Sequence, residues 1–224
     1  MGQRYRYTLG TQVYNFKNLA EVMAKATPGR SGDRLAGVIA GSAQERAVAQ
    51  MTLADIPLKT FLNEALIAYE DDEITRLIMD DHDTNAFMAI AHLTVGDFRN
   101  WLLSDFATPA VLASVRQGIT PEMAAAVSKI MRNQDLILIA KKCHVTSAFR
   151  NTIGLPGHLS TRLQPNHPTD DINGIAACIL DGLLYGNGDA VIGINPATDN
   201  VAQAIKLMTL MDEVIQKYEI PTQS

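Results

Sequence analysis

Through residues 1–150 the apolar positions recur mostly at helical spacing. The start differs: polar and aromatic residues alternate, and Tyr5 to Tyr14 reads as a short strand or hairpin turned at Leu9-Gly10-Thr11. A helix is predicted from Asn18 to Ala26, closed by Pro28-Gly29. Ser31 is placed as the N-cap of the next helix, with Asp33 in its first turn. Leu35, Val38, Ile39, Ala43, Ala47 and Gln50 would share one face of it. A third helix is predicted from Thr52 to Leu66, interrupted at Pro57, and one or two short helices between Asp71 and His92. Within Thr94–Leu103, Phe98, Trp101 and Leu102 fall at i, i+3 and i+4. Thr120-Pro121-Glu122 is a helix start: a capping hydroxyl, a proline at the first helical position, then an acid. Ala124, Val127, Ile130 and Met131 form the stripe that follows.

After Gly154-Leu155-Pro156-Gly157 the pattern changes to strand, helix, strand, helix. His158 to Gln164 is a short extended run, and Asp170 to Leu184 a helix with Ile172, Ile175, Ala176, Ile179 and Leu183 on one face. Gly186-Asn187-Gly188-Asp189 turns the chain into the apolar run Ala190–Ile194, the pattern of a strand buried on both faces of a parallel sheet. Thr198 or Asp199 is expected to cap a long helix through Tyr218, with Val201, Ala204, Ile205, Met208, Met211 and Ile215 inward. Ile220-Pro221 then leads toward another strand. The two strands lie about 30 residues apart, one βαβ unit. The fold class is therefore α/β: a mainly helical region over 1–150, then βα units over 151–224.

Composition narrows the function without naming it. Apolar residues make up 47% of the 224 and charged residues 19%, so a globular core is expected. The net charge is −5 and no basic run occurs, which argues against nucleic-acid binding. Cys143 and Cys178 stand far apart, which points to a reducing compartment. Met1 to Phe16 lacks the apolar core of a signal peptide, and no apolar run reaches the ~18 residues of a membrane span. A soluble cytoplasmic protein of bacterial type is expected.

In βα enzymes the chemistry sits at the C-terminal ends of the parallel strands. Two such ends carry polar residues here: Arg162-Leu163-Gln164-Pro165-Asn166 and Gly193-Ile194-Asn195-Pro196. Positions i and i+2 of a strand share a face, so Arg162 and Gln164 project together while Leu163 faces the other way. If the strands are neighbours, Arg162, Gln164 and Asn195 converge, a permanent cation with two amides. The set suits a small substrate with hydroxyl and amino groups. An ion-pair arginine and plain turn chemistry at Asn-Pro are the alternative reading of the same residues.

Other features read as structural. No histidine pair has the spacing of a helical zinc site, and Asp81-His82-Asp83 reads as a solvated acidic turn. Gly186-Asn187-Gly188 precedes a strand rather than a helix, which favours a tight turn over a phosphate cradle. Cys143 beside His144 reads as a structural thiol, because chain neighbours rarely form a dyad.

The strand-end stretches, Arg162 to Asn166 and Gly188 to Asp199, resemble the first two strand ends of the ethanolamine ammonia-lyase large subunit. Upstream stretches are similar in the same order: Arg30-Ser31-Gly32-Asp33 with Leu35-Ala36-Gly37, Tyr69-Glu70 with Thr75-Arg76-Leu77-Ile78, and Asn151-Thr152-Ile153-Gly154. Ile220-Pro221-Thr222-Gln223 also fits. The resemblance covers nearly the whole chain.

The resemblance implies a TIM (β/α)8 barrel with a helical N-terminal extension, of which this chain would hold only the first units, since a barrel takes about 250 residues. It implies conversion of ethanolamine to acetaldehyde and ammonia by radical chemistry on adenosylcobalamin. By matched position, Arg162 and Asn195 would bind the substrate hydroxyl, Gln164 would face the amino group, and Pro196 would contact the cofactor. Arg162 would also stabilise charge in the transition state. The Asp-x-His-x-x-Gly pattern of histidine-ligated cobalamin is absent, consistent with the family's use of the cofactor's own base. The family's substrate carboxylates lie on later strands with no counterpart here, so the chain is expected to be inactive alone. The implied partners are the small lyase subunit and further large subunits, and a bacterial microcompartment is a compatible location that no residue encodes. The competing function is a non-catalytic helical assembly module, motivated by a helical region larger than a barrel requires and by the open sheet edges of a part-barrel.

Overall fold

The computed structural model describes residues 5–148 and 150–224. The first four residues of the alternating N-terminal stretch, and Phe149 within the region expected to be mainly helical, lie outside them. The chain divides between Cys143 and His144 into two compact units, ahead of the sequence-based boundary at residue 150.

The first unit opens with an antiparallel hairpin of β1 (Tyr5–Leu9) and β2 (Gln12–Phe16), in which Tyr5 pairs with Phe16 and Leu9 with Gln12. Gly10 turns it at φ +60°, a conformation that glycine adopts without Cβ cost. Helices follow: α1 (Leu19–Ala26), α2 (Ser31–Leu35), α3 (Ala43–Ala54), α4 (Thr60–Asn63), α5 (Glu73–Asp80) and α6 (Thr84–Met88). Then come α7 (Val95–Leu103), α8 (Pro109–Val115), a 3-10 turn at Arg116–Gly118, α9 (Pro121–Lys129) and α10 (Asn133–Lys142). Their shared core contains Phe16, Leu19, Leu53, Ile90, Phe98 and Met123, all essentially inaccessible to solvent.

Three expectations for this unit are corrected. Ser31 is the first residue of α2 rather than its N-cap; the cap position is Arg30, whose N–H donates to Asp33 Oδ2 at 3.1 Å. The helix expected to carry Leu35 through Gln50 on one face is two helices, because Gly37 takes φ +68° just after α2 and ends it. Leu35 is consequently 91% exposed, and the inward residues are Val48, Ala49, Thr52 and Leu53 of α3. The interruption expected at Pro57 in the Thr52–Leu66 stretch is present, between the end of α3 at Ala54 and the start of α4 at Thr60. Beyond α3 the chain extends so that Pro57 bridges Thr94, with Leu58 N–H donating to the Leu93 carbonyl and Val95 N–H to that of Ile56. On α9 the apolar face is Met123, Ala126 and Val127, and Ala124 is exposed.

Helix ends in this unit are satisfied by side chains from far along the sequence. Gln50 Nε2 donates to the carbonyls of Ala26 (3.3 Å) and Lys129 (2.9 Å), closing α1 and α9 at once. Glu64 accepts from the Tyr5 hydroxyl and the Leu19 N–H, each at 2.8 Å, tying the hairpin to the start of α1. Lys142 Nζ donates to the carbonyls of Leu102 (3.0 Å) and Ser104 (2.6 Å) at the end of α7. Asp135 is buried between Arg99 (2.5 Å) and Arg132 (3.2 Å), and those two guanidiniums, Arg99 first, hold its carboxyl well below the ordinary range.

The second unit starts with a two-residue hairpin, β3 (Ser147–Ala148) against β4 (Thr152–Ile153). A βαβ unit follows: β5 (Arg162–Leu163), α11 (Ile172–Leu184) and β6 (Val191–Ile192), succeeded by α12 (Val201–Lys217). β5 and β6 are parallel neighbours, with Arg162 beside Val191 and Leu163 beside Ile192. The strands are shorter than their extended runs in sequence. After α12 the chain returns along the opposite edge of β6, where Ile192 N–H donates to the Gln223 carbonyl at 2.9 Å and Thr222 is buried.

A second core joins Ile175 and Ile179 of α11, Ile192, and Leu207, Met211, Val214 and Ile215 of α12. The inward face of α11 is the expected one. On α12 Met211 and Ile215 are inward as expected, but Val201, Ile205 and Met208, also expected inward, are 75%, 58% and 58% exposed. The cap of α12 is Asn200, whose Oδ1 accepts from Gln203 N–H at 3.2 Å, rather than Thr198 or Asp199.

Two tests follow from the helical unit. A Cβ on Gly118 would overlap the backbone of Phe87 and Ala86, whereas one on Gly32 would meet nothing within 4 Å. Gly118→Ala is expected to cost about 1–3 kcal/mol in thermal or urea unfolding, as overpacking does, and Gly32→Ala to be near neutral. The depressed carboxyl of Asp135 stabilises the fold above its unfolded pKa of about 3.9 and loses that contribution as pH falls below it. Asp135→Asn should therefore lower the Tm at pH 7, and acidification from pH 5 to 3 should lower the Tm of the variant less than that of the parent.

Candidate functional site

Leu163 points from β5 toward α11 and joins the second core. It fits there because residue 182 is glycine: a Cβ at 182 would overlap the Leu163 side chain. With Leu163 committed to that layer, Arg162 projects from the other face, and Gln164 is the first residue past the strand. Arg162 reaches toward the neighbouring strand. A Cβ on Gly193 would stand 3.1 Å from Arg162 Nη2, so the guanidinium lies over the backbone just past β6. Arg162 is exposed and Gln164 half-buried.

Asn195 and Pro196 lie beyond β6 and are exposed. Asn195 N–H donates to Asn166 Oδ1 at 3.3 Å, a side-chain tie between the segments that follow the two strands. The fold thus brings Arg162, Gln164, Asn195 and Pro196 to the same end of one parallel strand pair. It does not join their side chains: among the described residues, no hydrogen bond links Arg162, Gln164 and Asn195 to one another.

Asp170 is a residue that sequence reasoning assigned to the helix start and otherwise passed over. Its neighbour Asp171 is the N-cap of α11, its Oδ1 accepting from Gly174 N–H at 2.8 Å. Asp170 itself is buried at φ +53°, with its carboxylate turned to the second strand end. Oδ1 accepts from Ala197 N–H at 2.8 Å, and Oδ2 from Thr198 N–H (3.1 Å) and Oγ1 (2.9 Å). The Ala197 N–H foremost, with the two Thr198 donors, keeps this carboxyl below the ordinary range against the opposing effect of desolvation. The available signal was the acidic pair itself, since one helix needs only one cap.

At the other end of the strand pair, Asp189 Oδ1 accepts from Thr161 N–H (2.7 Å) and Oγ1 (2.5 Å), and Gly188 N–H donates to Thr161 Oγ1 at 3.1 Å. These bonds tie the beginnings of β5 and β6. Gly186 (φ +75°) and Gly188 (φ +99°) serve the turn between α11 and β6. His82 Nε2 lies 3.1 Å from the Gly118 carbonyl and Asp83 caps α6, so Asp81-His82-Asp83 has structural work. Among the described residues, no cluster of three His, Cys, Asp or Glu is arranged to hold a metal ion, and no helix is long and apolar enough to cross a membrane.

Sequence comparison agrees with the strand-end motifs. The family described as Ethanolamine ammonia lyase large subunit (EutB) matches residues 14–224. The ethanolamine ammonia-lyase large subunit of Escherichia coli (strain K12) is 46% identical over 220 residues, which cover 98% of this chain and 49% of that protein. The ethanolamine ammonia-lyase large subunit of Salmonella typhimurium is 45% identical over 220 residues, with the same coverage. The chain therefore spans about half the length of the curated relatives it matches. With matching that extends over almost all of its length, the chain belongs to the ethanolamine ammonia-lyase large-subunit family.

Proposed function

We propose that this chain carries the first two strand ends of an ethanolamine ammonia-lyase active site, and that its βαβ unit is the opening part of a (β/α)8 barrel. The observation that carries the reading is the parallel pairing of β5 with β6, with Arg162, Gln164 and Asn195 at one end of it. The substrate is ethanolamine and the products are acetaldehyde and ammonia. The small lyase subunit and further large subunits are the partners.

In this reading Arg162 and Asn195 bind the substrate hydroxyl, and the Gln164 carbonyl oxygen accepts from the amino group. Arg162 also stabilises negative charge that develops on the substrate oxygen, an effect that grows as water is excluded. Gly193 matters because it leaves room for the guanidinium to lie across the second strand end. The implied cofactor is adenosylcobalamin. Pro196 fits a contact with it: the residue is exposed at the same end of the strand pair and, having no N–H, offers a donor-free apolar surface to a large flat ring. When bound, that group supplies the radical chemistry, and the residues of this chain hold and orient the substrate.

The test is an acetaldehyde assay with ethanolamine, adenosylcobalamin and the small subunit, with and without the remaining half of the large subunit as a separate chain. Turnover is expected only when that half is supplied. Arg162→Ala should then lower kcat by about 10²–10³-fold, the usual loss for one donor to a developing oxyanion, while circular dichroism stays unchanged. Parental kinetics in that variant would overturn the assignment.

A further inference from the structure

Side chains of the first strand-end loop hold the backbone of the second. Between Asn195 and Thr198, every backbone N–H is taken by a side chain of the preceding strand-end loop. Asn166 Oδ1 receives Asn195, Pro196 has no N–H, and the two oxygens of Asp170 receive Ala197 and Thr198. Oδ2 takes the Thr198 hydroxyl as well. Asp170 is in turn fixed from two sides. Its N–H donates to the His167 carbonyl at 3.1 Å, and its carbonyl accepts from Gln203 Nε2 of α12 at 2.6 Å. The residue is 1% exposed, and its φ of +53° is a conformation that an L side chain rarely adopts.

We propose that Asp170 is a positioning residue, which holds Ala197 and Thr198, the two residues after Pro196, by its carboxylate and so sets where the Asn195 side-chain amide stands relative to Arg162 and Gln164. The inference rests on the proposed function for Asn195, which Asp170 itself does not share. A carboxylate suits this task because both oxygens accept and neither donates. The isosteric amide does not: in Asp170→Asn, one N–H of the loop must face an NH2 group, and a donor is left without an acceptor. A brace of this kind matters to chemistry because a displacement of about 1 Å at a binding group can cost about 10²-fold in rate.

Two measurements test it. In the chain itself, amide hydrogen exchange at Ala197 and Thr198 should speed up at least about tenfold in Asp170→Asn, while Ile179 in α11 and Ile192 in β6 keep their protection. Unchanged exchange at Ala197 and Thr198 would overturn the brace. Thr198→Val, which removes only the hydroxyl donor, provides a milder variant with a smaller change in the same direction should Asp170→Asn fold poorly. In the enzyme assembled with the remaining half and the small subunit, Asp170→Asn should lower kcat/KM about 10–100-fold. In an Asn195→Ala background the same substitution should cost less than about threefold, because the residue it acts through is gone. Equal losses in both backgrounds would mean that Asp170 supports the fold in general and would sink the positioning role. If Arg162→Ala is kinetically silent, the lyase reading falls and the positioning role with it, and the exchange result then decides only whether Asp170 braces the loop.

Discussion

Leu163 packs against α11 in the space left by Gly182, and the orientation of the candidate site follows from that contact. A strand has a period of two, so committing one residue to the helical layer commits its strand neighbour to the opposite face. Arg162 is that neighbour. The parallel pairing with β6 then sets what stands beside it, and at the nearest point it is glycine, which admits the guanidinium. A one-residue slip of β5 would place Leu163 on the candidate face and bury a charged or amide side chain against α11, which costs free energy unless that group is satisfied.

The two units meet the same problem, unsatisfied backbone groups at the ends of short elements, with side chains drawn from distant positions. In the helical unit Gln50 closes two helices, Glu64 holds a hairpin to a helix, and Lys142 closes a third helix end. In the βαβ unit Asp189 ties the beginnings of the strands, and Asn166 with Asp170 tie the segments beyond their ends. Short strands leave few ladder bonds of their own, so these side-chain ties set the register that the candidate site needs.

Much of the architecture was legible in sequence wherever the signal was local. The N-terminal hairpin, the proline-started α9, the inward face of α11 and the strand–helix–strand order after Gly157 all rest on residues within one or two turns of each other. Elsewhere the signal was missed or was not local. Thr108-Pro109 starts α8 with the same capping hydroxyl and proline as α9, a local signal left unread, while the apolar residues of α10 run consecutively from Leu136 to Ala140 and show no helical stripe. The helix expected across Leu35 to Gln50 ended at Gly37, where tertiary packing gave no reason to bury Leu35 or Val38. On α12 apolar residues occupy most of the circumference, and periodicity could not say which of two faces would be covered; the core took Leu207, Met211 and Val214 and left Val201, Ile205 and Met208 outside.

Sequence by itself determined the α/β order, the family, and the identity of the residues at two strand ends, because each depends on residue type and spacing along the chain. It set Arg162 opposite Leu163, because side chains alternate along a strand. Only the tertiary structure decided that β5 and β6 are immediate parallel neighbours, that Arg162 lies over Gly193, and that Asp170 turns away from its own helix to hold Ala197 and Thr198. These are pairings across some 30 residues of chain, the span of a βαβ crossover. No local propensity encodes them, and they are set when burial of Leu163, Ile192 and the inner face of α11 brings the two strands together.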